Sequence, residues 1–363
     1  MSSNGGTESI GDEPTVSVVI TTCNRGEQLA EVLAPLLSDA ATLEVVVVVD
    51  ACHDGTFEMV SERARAEPRL RPVMASSGLG QSRARLLGVH RARGEVFVSL
   101  DDDVVADPGL VSIHREHHRR RAHALVVGYM PVELTRPQRP GRFASEQYAK
   151  TYEEHCARYE RDPRFILTNF WSGNFSMRRA DYIDAVGDYR LRLRYHEDRD
   201  LSLILLRHEL KPVFDRHARA RHRHARSLSA YLRDARNAGG TTRVLHARHG
   251  DLIGPFELEV GLERFPAPLR ALVRATDRPR ARRAALGLLR VGVVLTGRVR
   301  AFRLESALAS TARKIAERQG SRETDPVAEL QEMWASAPEL EFAPGKSAAS
   351  ILSGEPASSP HAR

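Results

Sequence analysis

The sequence predicts an α/β protein, a mostly parallel sheet flanked by helices with a helical C-terminal extension. Two observations carry this. Short, continuously apolar runs alternate with helical segments over residues 15–100, as strands buried on both faces and joined by right-handed crossovers require. The 363 residues, 42% hydrophobic and 28% charged, have the composition of an ordinary globular chain large enough for one big α/β domain with additions.

Taken in order, residues 1–14 are small and polar and are expected to be disordered. "TVSVVITT" (15–22) reads as the first buried strand and "EQLAEVLAPLLSD" as a helix. "LEVVVVVD" (43–50) is a second strand, "TFEMVSERARAE" a helix and "LRPVMAS" a third strand. "GLGQSRARLLGVHRARG" is a helix opened and closed by glycines, with Gly88 and Gly94 as packing and capping positions. "EVFVSL" (95–100) is the fourth strand, and "HALVVGYMPVEL" another. The pattern loosens through 135–165, which suits an insertion covering a substrate. "HEDRDLSLILLRHEL" is a helix, and from about residue 216 the chain is expected to be arginine-rich and helical to about 318. "TDPVAELQEMWAS" carries a Thr/Asp cap and a Pro at a helix start. The stretch 336–363 is Ala/Ser/Pro-rich and expected to be disordered.

The net charge of +7 suggests anionic partners: nucleotide, nucleic acid or anionic lipid. Three cysteines, Cys23, Cys52 and Cys156, without metal-type spacing, suit a reducing compartment. The N-terminus lacks a basic and an apolar leader region, and no uncharged stretch is long enough to span a bilayer, so a soluble cytoplasmic protein is expected. The longest apolar stretch, 284–297, has Arg290 in its middle. The region around it is amphipathic and basic, and reads either as an interfacial helix or as a helix packed on the main domain.

In open α/β sheets ligands bind at the carboxyl ends of the strands. Asp50 and the run Asp101, Asp102 and Asp103 fall at such ends. Adjacent carboxylates repel unless a positive group lies among them. One reading is a hard divalent cation with positions left open for phosphate; the other is a solvated acidic turn before a helix near Asp107. Asp54 in "DGT" is placed either to touch ligand or to cap the next helix. Glu197, Asp198 and Asp200 would either carry acid–base chemistry or complement a helix dipole.

"TTCNR", "VVVVDACHDGT", "GLGQSRARLLG", "LDDD", "WSGNFSMRR" and "HEDRDLSL", in this order, resemble the inverting family 2 glycosyltransferases with the GT-A fold. The resemblance covers roughly 15–245. It implies a nucleotide-binding half (15–130), an acceptor and catalytic half (131–245) and a helical extension (246–335). It implies a nucleoside-diphosphate sugar donor, with uridine as the expected base, and Mn²⁺ or Mg²⁺ as cofactor. Thr21, Thr22, Asn24, Arg25, Asp50 and Asp54 would meet the nucleotide, and Gly78, Gly80 and Arg85 would approach its phosphates. Cys23 stands where some relatives carry an aromatic, and Leu86 where the family usually has Asn. Asp101 and Asp102 would contact donor, while Asp101, Asp103 and His222 would hold the metal. Asp198 would act as general base beside Glu197, and Trp171, Gly173 and Asn174 would lie beside the sugar. His222 and His224 point oppositely if extended, so one of the two, His222, is expected at the site, with Arg226 closing over phosphate.

Two other classes remain. A sugar-1-phosphate nucleotidyltransferase would carry a Gly-rich phosphate-lysine signature near the N-terminus, which is absent. A nucleic-acid-binding protein would interleave aromatics with its arginines, and residues 216–300 hold very few. Weak peripheral contact with an anionic membrane is the third reading of the arginines.

Overall fold

The computed structural model describes residues 13–75, 77–134, 136–338 and 340. The expectations for the two chain ends fall mainly outside them. One eight-stranded sheet runs β3-β2-β1-β4-β7-β6-β8-β5. Its parallel half contains β1 (Val16–Thr22), β2 (Thr42–Asp50), β3 (Leu70–Ala75) and β4 (Val96–Asp101). The strands β5 (Val104–Ala106), β6 (Ala124–Tyr129), β7 (Asn174–Arg178) and β8 (Lys211–His222) complete it, with β4–β7, β6–β7 and β5–β8 antiparallel and β6–β8 parallel.

The alternation of side chains along β1 sorts the core into two layers. Val16, Val18 and Ile20 face the helix α1 (Gly26–Ser38), which supplies Leu29, Val32, Leu33 and Leu36. Val19 faces the opposite layer, where α3 (Gln81–Arg91) supplies Ala84, Leu86, Leu87 and Val89. Removing each such large aliphatic side chain from water contributes about 1.5–3 kcal/mol. Gly88 lets α3 come this close, because a Cβ there would meet Val19 Cγ1 at 2.5 Å. Helices α2 (Thr56–Ala66) and α4 (Leu110–Arg120) complete the crossovers.

Two stretches differ from expectation. Residues 143–161, expected as part of an irregular insertion, form the regular helix α5, whose Tyr152, Cys156 and Tyr159 are buried at helical spacing. Residues 211–222 form strand β8 where a helix was expected. Ala218, Ala220 and His222 point inward while His217 and Arg219 point out, a period of two that only an extended chain satisfies.

After α6 (Arg179–Val186) and α7 (Glu197–Leu205), the long helix α8 (Leu228–Ile253) leads into α9 (Ala267–Ala275), α10 (Pro279–Arg298), α11 (Phe302–Glu323) and α12 (Pro326–Ser336). The cap that starts α12 is Asp325, which accepts from the N–H groups of Val327 and Ala328. These helices hold a third core of Tyr231, Leu232, Val273, Leu289, Val293 and Ile315, joined by Phe143 of α5. Helices α8 and α11 touch backbone to backbone. A Cβ on Gly239 would lie 1.8 Å from the Glu317 carbonyl oxygen, and one on Gly320 would lie 1.8 Å from that of Arg236. Among the described residues no helix is long and apolar enough to cross a membrane.

Candidate active site

The parallel strands β1, β2 and β4 end along one edge, so Thr21, Thr22, Asp50 and Asp101 reach the same opening. Behind it lies a cleft of about 740 Å³. Asp50 secures the turn before α3: its two carboxylate oxygens accept the N–H groups of Leu79 at 2.6 Å and Gly80 at 2.8 Å. Gln81, the first residue of α3, donates from its amide to Asp101 at 2.9 Å.

Asp102 and Asp103 share one cation, Arg25, while Asp101 is held by Gln81. Asp102 accepts from Thr22 Oγ1 at 2.8 Å and from Arg25 Nη1 at 2.6 Å, and the same Arg25 nitrogen donates to Asp103 at 2.8 Å. On its other side Asp103 Oδ1 lies 3.4 Å from His222 Nε2. Sheet register creates this last pairing. Val104 of β5 sits opposite His222 of β8, and the Arg223 N–H donates to the Asp103 carbonyl at 2.9 Å. Burial, with the charge of Asp103, pushes Asp101 up to about 6. Burial also acts to raise Asp103, but the hydrogen bond and charge of His222 and the Arg25 guanidinium outweigh it. That carboxyl is held well below the usual range.

The opposite wall comes from α5, the 195–199 turn and the C-terminal helices. Glu197 and Asp198 open α7 and face the cleft. Burial, and then the neighbouring Glu197, push Asp198 up to about 7, and burial raises Glu197 as well. The helix that carries them is fixed by Asp200, fully buried, which accepts from Tyr189 at 2.7 Å and pairs with His249 Nε2 at 2.7 Å and Arg248 at 3.2 Å. Trp171 packs edge-on to Tyr148 at 4.9 Å between ring centroids, and Gly173 lies beside Asp101. His222 and His224 both line the cleft, rings 5.6 Å apart and bridged by Tyr148, because β8 ends at His222 and the strand alternation stops there.

Five expected residues stand elsewhere. Asn24 accepts the His53 N–H at 2.9 Å, outside the cleft lining. Asp54 accepts from the Thr56 N–H and hydroxyl in a local turn before α2, whose N-cap position is Gly55, so it neither lines the cleft nor caps the helix. Gly78 leaves room for Arg192, whose Nη2 would be 3.1 Å from a Cβ there. Arg85 is buried beneath the site, donating to Ser99 at 3.0 Å and Ser172 at 3.2 Å and lying over the Phe175 ring. Asn174 is in the core: its carbonyl pairs with His114 Nε2 at 3.0 Å and its amide donates to the Ala218 carbonyl. His114 Nδ1 and His118 Nε2 both meet Ser176 Oγ at 2.8 Å.

Sequence reasoning passed over Gln147, Tyr148, Thr151 and His155 of α5, Tyr195, His196, Tyr231, Asp234 and Arg313, all of which line the cleft. Arg313 lines the cleft beside Tyr195, and its guanidinium lies 5.0 Å from the Tyr231 ring centroid. The α5 residues had a signal, since Tyr148, Tyr152, Cys156 and Tyr159 recur at helical spacing. Arg313 had none, because the contact spans the chain.

Among the described residues no three His, Cys, Asp or Glu side chains gather as a metal cage. Asp103 and His222 nonetheless fit one edge of a divalent-cation site. A carboxylate oxygen and an imidazole nitrogen suit such ions when phosphate oxygens and water complete the shell.

Residues 17–187 match the family described as glycosyl transferase family 2. Over 133 residues, 35% of this chain, the sequence is 29% identical to undecaprenyl-phosphate 4-deoxy-4-formamido-L-arabinose transferase of Aeromonas hydrophila. Over 116 residues, 31% of this chain, it is 23% identical to glycosyltransferase GlyG of Streptococcus pneumoniae serotype 4. The matched segments span 39% and 38% of those relatives' lengths. The fold resembles that of a mannosyltransferase from Pyrobaculum calidifontis in complex with GDP-Man and Mn²⁺, with a TM-score of 0.53 and 15% identity, covering 86% of this chain and 88% of that one.

Proposed function

From the premise that residues 17–187 form a family 2 glycosyltransferase domain on a GT-A fold, we propose that the chain transfers a sugar from a nucleoside-diphosphate donor to an acceptor hydroxyl with inversion. The observation that carries the reading is a shared cavity. A carboxylate poised near neutrality, Asp198, opens into the same cleft as the acidic strand end Asp101–Asp103 and His222.

In this reading the nucleotide lies along Thr21, Thr22, Arg25 and the Asp50 turn, on the strand-end side. The base is uracil on the sequence resemblance, and the GDP-Man held by the Pyrobaculum protein makes guanine the second base to test. Asp103 and His222, with Asp101 beside them, would hold Mn²⁺ or Mg²⁺, which when bound supplies positive charge against the departing diphosphate. Asp198 takes the proton from the acceptor hydroxyl as that oxygen attacks the anomeric carbon, and the sugar–phosphate bond breaks on the opposite face. A base titrating near 7 suits this task, because it is half ionised at working pH and still basic enough to accept the proton. Glu197 raises Asp198 and orients the hydroxyl, while Trp171 offers an apolar face to the pyranose. The three free cysteines suit a reducing compartment, and the cytoplasm is the proposed location.

The test is a donor screen by released nucleoside diphosphate, with and without Mn²⁺, on the wild type and Asp103→Ala. Metal-dependent turnover of one donor, lost in the variant, supports the reading. No turnover of any donor together with no metal-dependent nucleotide binding overturns it.

A further inference from the structure

We propose that the outward face of α10 seats on an anionic lipid surface. The inner face of this helix is accounted for: Ala285, Leu289, Val293 and Gly297, four residues apart, are buried against the neighbouring helices. A helix at a protein surface ordinarily turns polar residues outward. Here the outward arc carries Leu288, Val291, Val294 and Leu295, and the apolar surface continues past the helix end in Val299 and Leu304. These six side chains are between 49% and 75% exposed. Scattered exposed aliphatics are common on any surface, but a contiguous patch marks an interaction surface.

The charge around the patch identifies the partner. Arg280, Arg283, Arg290, Arg298, Arg300 and Arg303 are exposed, and none of them makes an ion pair among the described residues. Residues 278–304 contain no Asp or Glu at all. Leu, Val and Arg on one face, with the arginines placed to carry their guanidinium groups to headgroup phosphates, is the composition of a helix lying in a membrane interface. A second copy of the chain fits less well, since a two-fold pairing sets the same arginines against each other with no acid to meet them. Nucleic acid would leave the aliphatic stripe without a partner, and the stretch holds one aromatic, Phe302, at its far end. Spanning is not an option for this helix, which is not apolar enough to cross a bilayer. Helix α10 packs on α11, whose Arg313 lines the cleft, so a docked chain holds one cleft wall close to the leaflet.

The experiment is cosedimentation of the full chain with vesicles of phosphatidylcholine alone or mixed with phosphatidylglycerol. Binding to the anionic vesicles should exceed binding to the neutral ones by roughly tenfold and weaken with salt. The pairs Leu288→Ser with Leu295→Ser, and Arg283→Glu with Arg290→Glu, should each lower it by about tenfold. Met74→Ser, at an exposed position on the distant edge strand β3, should leave it unchanged, and circular dichroism melts confirm that all variants fold. The proposal fails if the full chain does not bind, binds both vesicle types equally, or binds regardless of the α10 substitutions. It fails equally if the leucine pair abolishes a dimer seen by analytical ultracentrifugation without changing vesicle binding. Because the readout is partitioning and not turnover, its failure is separable from that of the transferase reading.

Discussion

His222 Nε2 stands 3.4 Å from Asp103 Oδ1, across a gap that the antiparallel pairing of β5 with β8 sets. Two side chains more than a hundred positions apart thus meet at the end of the sheet. The partner on the other side of Asp103 is Arg25, which already supplies the positive charge that three adjacent aspartates require.

Asp103→Asn should therefore weaken the metal-dependent binding of a nucleoside diphosphate by about 10- to 100-fold, read by calorimetry with and without Mn²⁺. Arg25→Ala should do the reverse to Mn²⁺ alone, tightening it, because the guanidinium no longer competes for Asp102 and Asp103. If Mn²⁺ affinity without nucleotide falls in the Arg25 variant, the competition argument is wrong.

Asp198→Asn should lower turnover by about 100- to 10,000-fold while leaving donor binding near wild type. A general base acts only when deprotonated, so under the proposed mechanism wild-type kcat/KM should rise with pH and level off above about 7, where burial and Glu197 have placed Asp198. Glu197→Gln removes the neighbouring charge and should move that limb to lower pH. A pH profile that is flat through neutrality would remove Asp198 from the role.

The pair His114 and His118 predicts acid sensitivity unrelated to the cleft. Burial lowers His114 to about 4 and His118 to about 3. As pH falls below about 6.5 the unfolded chain takes up these protons first, so stability is complete above that value and is lost as pH falls. Near pH 5 the loss is on the order of 2 kcal/mol for each ring. Thermal melts should show the decline, and imidazole nitrogen shifts should show both rings still neutral in the folded protein at that pH.

Gly320→Ala should destabilise the protein by about 3 kcal/mol, since its Cβ would collide with the Arg236 carbonyl oxygen at 1.8 Å. Gly287→Ala is the contrast. A methyl group added to that helical glycine would have nothing within 4 Å, and the substitution should stabilise by about 0.5–1 kcal/mol. Differential scanning calorimetry of the two variants decides whether close approach, and not glycine content, governs the helical region.

The strands of the parallel half were legible because a strand buried on both faces must be apolar throughout, and "VVVVV" in β2 admits few other readings. The acidic strand end was legible from its position after such a run. Strand β8 was not, since arginines on the outward positions of "RHARARH" dominate the eye while the inward alternation is Ala, Ala, His. Asn174 and Arg85 were expected at the ligand because they stand in motifs that resemble the family's donor-binding and sugar-binding segments. What decides their burial is a pair of distant partners for each, His114 and Ala218 for one, Ser99 and Ser172 for the other. Local sequence carries no trace of those pairings. Arg313 belongs to the same class, reaching the cleft from α11 only because α8 and α11 cross in contact.

The family-matched stretch ends at residue 187, yet Asp198, His222, Tyr231 and Arg313 form walls of the same cleft. The matched stretch supplies the strand ends, α5 and Trp171, and the residues after 187 complete the wall facing the strand ends. Of the later described residues only His222 and its neighbour Arg223 reach back to the strand end, at Asp103. A chimera joining the first stretch of one relative to the second stretch of another would sort the two contributions.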